Sequence, residues 1–372
     1  MKRLAFISDL ELRASGGGSY AVNFNAFREL EKCFSVTYHG PLSARPPLME
    51  MGISKLRRKI LRRPSQFHYF SPATLDGNAR NVERTIPPEC DAVFFRSAAR
   101  WCRWRPTLPY FIYLDAGFHT FFHNTFDPGL FKKEDMERIF MEEAAFLEGA
   151  AGVFFESGWG LEMTRIAYGL TGDHYQAVGR GGVIEPPSED RWDGELRLLS
   201  VALNFRQKGG DIILDAYKRL KPEHPELTWH VVGAAPEGNW QSVPGIVHEG
   251  VLRPDQPDDR ERLENLYAGS FLLVHPTRED VNPLVLTEAS YFGCPVVSVE
   301  RFAIPELVRD GETGILLDFP ADPDAVADAI HKLLSDPETY GGMRLRAREL
   351  ALKDSSWDSI GHAMAERIRF VL

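Results

Sequence analysis

The chain has 372 residues, and at roughly 100–200 residues per domain this length predicts two or three domains and excludes one small binding module. Hydrophobic residues make up 44% and charged residues 26%, a balance that excludes wholesale disorder. The 43 Lys and Arg against 53 Asp and Glu give a net charge of −10, so a protein that coats nucleic acid is not expected and no nucleic-acid partner is predicted.

Apolar stretches in the sequence are all short. None reaches the ~20 residues that a membrane-spanning helix needs, and the run at residues 4–7 is cut by Ser8 and Asp9, too early for a signal-peptide core. A cytoplasmic protein is therefore predicted. The four cysteines are scattered without a C-x-x-C pair, which signals neither a disulfide framework nor a zinc site.

Strand-like and helix-like patterns alternate along the chain in two series. The strand-like runs lie at residues 4–7, 36–38, 92–95, 111–114 and 152–155, and then at 196–202, 228–232, 271–274, 296–299 and 315–317. Helical periodicity falls at residues 20–32, 134–147, 161–168, 210–220 and 324–334. This alternation predicts an α/β protein with two parallel sheets covered by helices.

Residues 185–195 separate the two series. They contain two prolines, one glycine and five carboxylates against one arginine, the composition of an exposed hinge. The predicted division is therefore residues 1–185, residues 186–356, and a terminal helix over residues 357–372.

The stretch at residues 271–299 predicts an anion site. A buried strand is followed by a loop, then by Asn282 as a helix N-cap and Pro283 as the first helical residue. The amides of Leu284, Val285 and the next residue would point out of the positive end of that helix, an arrangement suited to a diphosphate.

Asp280 and Glu288 bracket this helix start with seven residues between them. Glu288, little more than one turn into the helix, is placed to accept hydrogen bonds from the vicinal hydroxyls of a ribose. Asp280, in the loop, is placed to accept from the hydroxyls of a sugar on the far phosphate. The alternative is that Asp280 only caps the helix and Glu288 lies on a solvated face.

A second basic loop precedes the helix at residues 210–220. Lys208 stands directly before a pair of glycines, and Arg206 lies two residues earlier. An ammonium and a guanidinium at a helix start would neutralise phosphate charge. The alternative is an ordinary solvated basic turn.

Six motifs occur in a fixed order through the second half: KGG (208–210), VVG (231–233), HEGVL (248–252), HPTREDVNPLVLTEASYFGCPVV (275–297), IPELVRDGETGILLD (304–318) and SSW (355–357). The ordered set resembles the nucleotide-sugar half of GT-B glycosyltransferases. The likeness is greatest to the retaining glycosyltransferase family 4, also called glycosyltransferase group 1, and covers residues 196–357.

This resemblance implies a fold and a reaction. The fold would be two Rossmann-like domains facing across a cleft, with the first domain turned to the acceptor and the terminal helix crossing back to it. A UDP-, GDP- or ADP-sugar would donate its sugar to a hydroxyl of a glycan, lipid-linked saccharide or small molecule, with retention and without a metal or further cofactor.

The resemblance also assigns roles to individual residues. Glu288 would bind the donor ribose, Asp280 would lie near the donor sugar, and Lys208 would stabilise the leaving diphosphate. The family usually has Glu where this chain has Asp280, so Glu279 is kept as a possible substitute. An arginine common in the family falls on Leu203, which leaves Arg206 to supply that charge.

Two loops of the first half are further candidates. Gly16, Gly17 and Gly18 follow the first strand and precede a helix, which suits close approach of a ligand to the backbone; in the resembling family a Gly-Gly loop here faces the donor. Asp115 and His119 follow the fourth strand, where family members present Asp or His to the donor sugar. A histidine among phenylalanines is also compatible with a structural role.

A basic amphipathic pattern occupies residues 51–64. Its cations are Lys55, Arg57, Arg58, Lys59, Arg62 and Arg63. With apolar residues at helical spacing, this pattern predicts either a solvated helix face or peripheral attachment to an anionic inner membrane surface.

Two other classes of function are compatible with the sequence. A GT-B-fold binding or assembly subunit without turnover would also fit, because Asp280 and Leu203 depart from the family pattern. A GT-B sugar epimerase or phosphorylase is a third alternative.

Overall fold

The computed structural model describes residues 1–14 and 17–372. They divide into two compact units, one made of Met1–Gly179 with Ile360–Leu372 and the other of Arg180–Ser359. Gly16 of the predicted glycine loop lies outside the described residues.

In the described part of the first unit, six parallel strands form a sheet in the order β2-β1-β3-β4-β5-β6. The strands are β1 (Arg3–Ile7), β2 (Ser35–His39), β3 (Ala92–Arg96), β4 (Tyr110–Leu114), β5 (Gly152–Phe155) and β6 (Tyr175–Ala177). The helices are α1 (Gly18–Glu31), α2 (Leu48–Lys55), α3 (Pro72–Thr85), α4 (Phe118–Thr125), α5 (Lys133–Glu148) and α6 (Gly158–Tyr168). The central strands are buried along nearly their whole length because helices cover both faces of the sheet.

The second unit repeats this design, with its described strands in the order β12-β11-β10-β7-β8-β9, all parallel. The strands are β7 (Arg197–Ala202), β8 (Thr228–Gly233), β9 (Ile246–Gly250), β10 (Leu272–His275), β11 (Val296–Val299) and β12 (Gly314–Leu317). The helices are α7 (Gly210–Leu220), α8 (Pro257–Ala268), α9 (Leu284–Tyr291), α10 (Ile304–Leu307), α11 (Pro323–Ser335) and α12 (Pro337–Asp354). The predicted α/β class with two Rossmann-like sheets is confirmed.

Two strands were missed by the sequence reading. β6 has only three residues, and β9 reads Ile-Val-His-Glu-Gly with partly exposed side chains. Both lie at sheet edges, where one side of the strand is unpaired and the apolar signal is weak.

The last helix, α13 (Trp357–Val371), begins in the second unit and continues in the first. Its apolar face, including Ile360, Met364 and Ile368, is fully buried. Arg367 also donates from Nε to the Ala151 carbonyl oxygen, 3.1 Å away. Among the described residues, no helix combines the length and the apolar character needed to cross a bilayer.

The segment expected to be an exposed hinge, residues 185–195, belongs to the second unit. The Asp190 carboxylate receives hydrogen bonds from the Arg344 guanidinium at 2.9 and 2.5 Å, and Arg344 is only 3% exposed. A buried guanidinium needs such a counter-charge, so this segment packs on α12. The boundaries fall at residues 179/180 and 359/360, against the 185/186 and 356/357 expected from the sequence.

Candidate functional site

The strand order of the second unit places a crevice between β7 and β10. β7 leads outward to β8 and β9, whereas β10 leads to β11 and β12 on the other side. At such a switch point the loops leave the carboxyl ends of the strands in opposite directions, and ligands of open α/β sheets bind there. The loops that meet at this point are residues 203–209 and 276–283.

These two loops are interlocked. The Arg278 amide donates to the Gln207 carbonyl oxygen at 2.9 Å, and the Arg278 guanidinium makes two hydrogen bonds of 2.7 and 3.0 Å to Asp211 at the start of α7. Gly209 has φ +81°, and a Cβ there would lie 2.2 Å from the Pro276 carbonyl oxygen. The glycine of the KGG motif is therefore required by backbone conformation and by the approach of the second loop.

Lys208 and Asp280 come together in this crevice. Lys208 Nζ lies 2.5 Å from Asp280 Oδ2, and each side chain is 23% exposed. His275, the last residue of β10, places Nε2 3.3 Å from the same oxygen. The structure thus groups one ammonium, one carboxylate and one imidazole at the carboxyl edge of the sheet.

Asp280 is ionised at neutral pH. Burial by itself would raise its pKa, but the hydrogen bond from His275 and the charge of Lys208 outweigh burial and lower the pKa of Asp280 to about 2. The carboxylate is then an acceptor for hydroxyl groups. A bound phosphate would compete with Asp280 for the Lys208 ammonium.

The helix start near this cluster differs by one residue from the prediction. α9 begins at Leu284, and its N-cap is Pro283, which has ψ 118° and makes no side-chain cap hydrogen bond. The predicted N-cap Asn282 is instead a buried residue one position earlier, because the non-helical ψ of Pro283 delays the first turn. Leu284 and Val285 are half-buried and still supply the first amides of the helix.

Glu288 is buried in the second turn of α9 and is 5% exposed. Its Oε1 accepts from the Val183 amide at 2.8 Å and its Oε2 from the Tyr267 hydroxyl at 2.9 Å. Burial raises the pKa of Glu288 despite these hydrogen bonds. In this structure the carboxylate anchors the chain entering the second unit, and its contact with a ribose stays a prediction.

The other predicted residues of this edge are more exposed. Arg206 has a side chain that is 68% exposed and lies 3.8 Å from Asp211 and 3.6 Å from Glu237. Glu279 accepts a hydrogen bond from the Gln207 side chain and points to the loop rather than to Lys208. Asp280 is therefore the carboxylate that Lys208 contacts.

The predicted residues of the first unit also lie at a carboxyl sheet edge. Gly17 has φ +103° and is the N-cap of α1, which starts at Gly18. Asp115 follows β4 directly, and His119 is the second residue of α4. Nothing in the geometry of either unit assigns these residues a ligand, so their roles stay predictions.

His119 belongs to a packed aromatic group. Its ring centroid lies 4.2 Å from that of His123 and 4.8 Å from that of Phe140. Burial and the neighbouring His123 lower the pKa of His119, which favours the neutral imidazole at pH 7.

Glu143 lies on α5, is 1% exposed and accepts a hydrogen bond from the start of α4. Its Oε2 accepts from the Phe118 amide at 2.6 Å and from the Tyr168 hydroxyl at 2.5 Å. The same hydroxyl accepts from the His119 amide at 2.9 Å. Burial raises the pKa of Glu143 to about 7, although the hydrogen bonds lower it in part.

Replacement of Glu143 by glutamine is expected to flatten the pH dependence of stability. Because the folded pKa of about 7 lies above that of an unfolded glutamate, the wild type loses about 3 kcal/mol between pH 4.5 and pH 8. The neutral amide of glutamine does not titrate, so the variant does not lose this stability. Urea unfolding at both pH values measures the difference, and Glu137→Gln, an exposed position on α5, is the control. A pH dependence unchanged by Glu143→Gln would contradict this assignment.

Several residues at the carboxyl edges of the two sheets were not predicted from the sequence. His275 ends an otherwise apolar strand, and that single polar residue was the available signal. Gln207, Glu143 and Tyr168 gave none, since their partners lie 25 or more residues away in sequence.

Comparison with known proteins finds similarity in the second unit. Residues 185–350 match the family model "Glycosyl transferases group 1", and this range falls within the unit that carries Lys208, Asp280 and Glu288. Residues 185–350 of the second unit are therefore similar to glycosyl transferases group 1. The chain is similar to a GDP-mannose-dependent α-(1-6)-phosphatidylinositol monomannoside mannosyltransferase of Mycolicibacterium smegmatis, with 31% identity over 169 residues, 43% of this chain and 44% of the relative. The chain thus spans less than half of that relative's length.

Solved structures are similar in fold to the whole chain and not only to residues 185–350. Sucrose-phosphate synthase from Thermosynechococcus elongatus superposes with a TM-score of 0.72 and 17% identity, covering 100% of this chain and 99% of the other. HepE from Anabaena, solved with UDP-glucose, gives a TM-score of 0.61 and 15% identity over 100% of both chains. At these identities the likeness concerns the fold, and the predicted GT-B fold is confirmed.

Proposed function

We propose that the chain transfers a sugar from a nucleoside-diphosphate sugar to an acceptor hydroxyl. The observation that carries the proposal is the contact between Lys208 and Asp280, 2.5 Å apart, at the switch point of the unit that is similar to glycosyl transferases group 1. A cation for phosphate and a carboxylate for sugar hydroxyls are what a nucleotide sugar requires at adjacent positions.

The chemistry follows from where charge develops. When the bond between the anomeric carbon and the diphosphate oxygen breaks, its electron pair stays on the diphosphate, while the acceptor oxygen bonds to that carbon and releases its proton. Lys208 and the first amides of α9 would stabilise the added negative charge. Asp280, released from Lys208 by the phosphate, would accept hydrogen bonds from the sugar.

Retention of anomeric configuration and membership of family 4 are part of the proposal. Both rest on the motif resemblance, above all on the Asp280 and Glu288 spacing. The coupling constant of the anomeric proton in the NMR spectrum of the product tests retention directly. An inverted product would overturn it while leaving sugar transfer intact.

A panel of nucleotides and nucleotide sugars tests the donor class. Thermal unfolding with UDP-, GDP- and ADP-sugars is expected to show a rise in Tm for at least one of them, since a ligand that binds the folded state stabilises it. Binding without release of nucleoside diphosphate in the presence of glycan or lipid-linked acceptors would favour a binding subunit. Turnover without an acceptor, or with free phosphate, would favour an epimerase or phosphorylase.

We further propose that the basic segment of the first unit attaches the protein to an anionic membrane surface. α2 is continued by a turn of π-helix, Leu56–Ile60, and its exposed apolar side chains include Leu48 at 85% and Ile60 at 72%. Exposed apolar groups beside a run of cations are typical of peripheral membrane helices. Arg57 and Arg58 are partly engaged, by the Pro64 carbonyl oxygen and the Phe131 ring.

Neutralising the exposed cations is expected to release the protein from anionic liposomes. The four substitutions are Lys55→Gln, Lys59→Gln, Arg62→Gln and Arg63→Gln. At about 1 kcal/mol per cation near the surface, binding should fall at least tenfold, as measured by sedimentation with phosphatidylserine vesicles.

A charge-matched variant controls for the change in net charge. It neutralises four exposed cations elsewhere in the first unit, Lys2, Arg28, Arg84 and Arg369. If both quadruple variants sediment like the wild type, or equally less than it, the basic segment is a solvated face.

A further inference from the structure

A histidine pair lies at the amino edge of the second sheet, the edge opposite Lys208 and Asp280. His224 is in the connection from α7 to β8, just before Thr228 begins that strand, and His331 lies near the end of α11. His224 Nε2 is 3.2 Å from His331 Nδ1. Neither residue belongs to the group 1 motifs.

A carboxylate completes the cluster. Glu223 adds an oxygen such that the three ligand atoms, one each from Glu223, His224 and His331, lie within 4.8 Å of one another. Zn–N bonds of about 2.0–2.1 Å in a tetrahedron separate two nitrogens by about 3.3 Å. The observed nitrogen–nitrogen distance therefore matches two imidazoles on one metal.

The outer nitrogens of both rings also face partners. His224 Nδ1 lies 3.7 Å from Glu226 Oε1, and His331 Nε2 lies 3.5 Å from Ser335 Oγ. Metal-binding histidines are oriented in this way, since a group at one nitrogen leaves the other directed at the ion.

We propose that Glu223, His224 and His331 bind a divalent transition metal of the zinc class. Two imidazoles and one carboxylate suit Zn²⁺ better than Mg²⁺, which prefers oxygen ligands. The ligands come from two elements, the α7–β8 connection and α11, so the ion links them. The fourth position is open to water, and the site is independent of sugar transfer.

Calorimetric titration of the tag-free full chain with Zn²⁺ tests the site. We expect saturable binding of one equivalent, a Zn²⁺-dependent rise in Tm, and no rise with Mg²⁺. Co²⁺ in place of Zn²⁺ should show the visible bands of a tetrahedral ion. His331→Gln is expected to lower Zn²⁺ affinity at least tenfold, with unchanged circular dichroism because the side chain is exposed.

The matched control is His362→Gln, which removes another exposed histidine beside a carboxylate, 3.2 Å from Glu366 on α13. It should bind Zn²⁺ like the wild type. Equal Zn²⁺ affinity in the wild type and His331→Gln, or no saturable binding by the wild type, would overturn the proposal.

Discussion

Replacement of Lys208 by methionine is expected to slow sugar transfer by about 100-fold, the usual cost of removing one group that stabilises developing charge. Affinity for UDP, GDP or ADP should fall by about tenfold or more, because a charge-assisted hydrogen bond to phosphate is lost. Lys208 is the cation that reaches Asp280 at the switch point, and methionine keeps most of its apolar stem. Calorimetry and the rate of nucleoside-diphosphate release measure the two effects.

Two further variants test whether the effect of Lys208→Met comes from its position at the site or only from the loss of a positive charge. Lys218→Met, an exposed lysine in the last turn of the same helix α7, should bind and turn over like the wild type. Asp280→Asn should keep or improve diphosphate binding, since it removes the anion that competes for Lys208, yet it should lower turnover. Equal loss of nucleotide affinity in Lys208→Met and Lys218→Met would contradict the phosphate role of Lys208.

Replacement of Asp190 by alanine is expected to destabilise the second unit by about 3 kcal/mol. The substitution leaves the buried Arg344 charge without its carboxylate partner. The Arg344 side chain is 4% exposed. It keeps contacts to the Ser270 and Phe292 carbonyl oxygens and to the Tyr340 hydroxyl, but no second carboxylate reaches it among the described residues. Urea unfolding measures the loss.

The neighbouring Glu189, which is exposed, is the control for Asp190. Glu189→Ala should change the free energy of unfolding by less than about 0.5 kcal/mol. The double variant Asp190→Ala with Arg344→Met should be less destabilised than the sum of the single variants, since the unpaired charge is removed. Strict additivity, or no effect of Asp190→Ala, would show that residues 185–195 are the free hinge that their composition suggested.

The parts of the fold that depend on local patterns could be predicted from the sequence. β10 and β11 are short strands with three apolar residues out of four, and all of their residues are buried because both of their faces are covered. Alternation of such runs with helical periodicity predicted both parallel sheets. β9 was missed because an edge strand with exposed side chains carries little of that signal.

Parts of the candidate site that depend on long-range contacts could not be predicted. Lys208 and Asp280 were singled out separately, and their contact across 72 residues emerges only from the strand order that places β7 beside β10. The contacts of Glu288 with Val183 and Tyr267 are likewise invisible to spacing. The composition of residues 185–195 described their polarity but not the buried arginine that Asp190 neutralises.

The most direct test of sugar transfer is the release of nucleoside diphosphate from UDP-, GDP- and ADP-sugars by the purified full chain, with and without glycan and lipid-linked acceptors. We expect at least one donor to be consumed in an acceptor-dependent manner, with a glycosylated product and a rate about 100-fold lower in Lys208→Met. A folded wild-type protein that consumes none of these donors, or that consumes one at the same rate with and without Lys208, would contradict the proposed function.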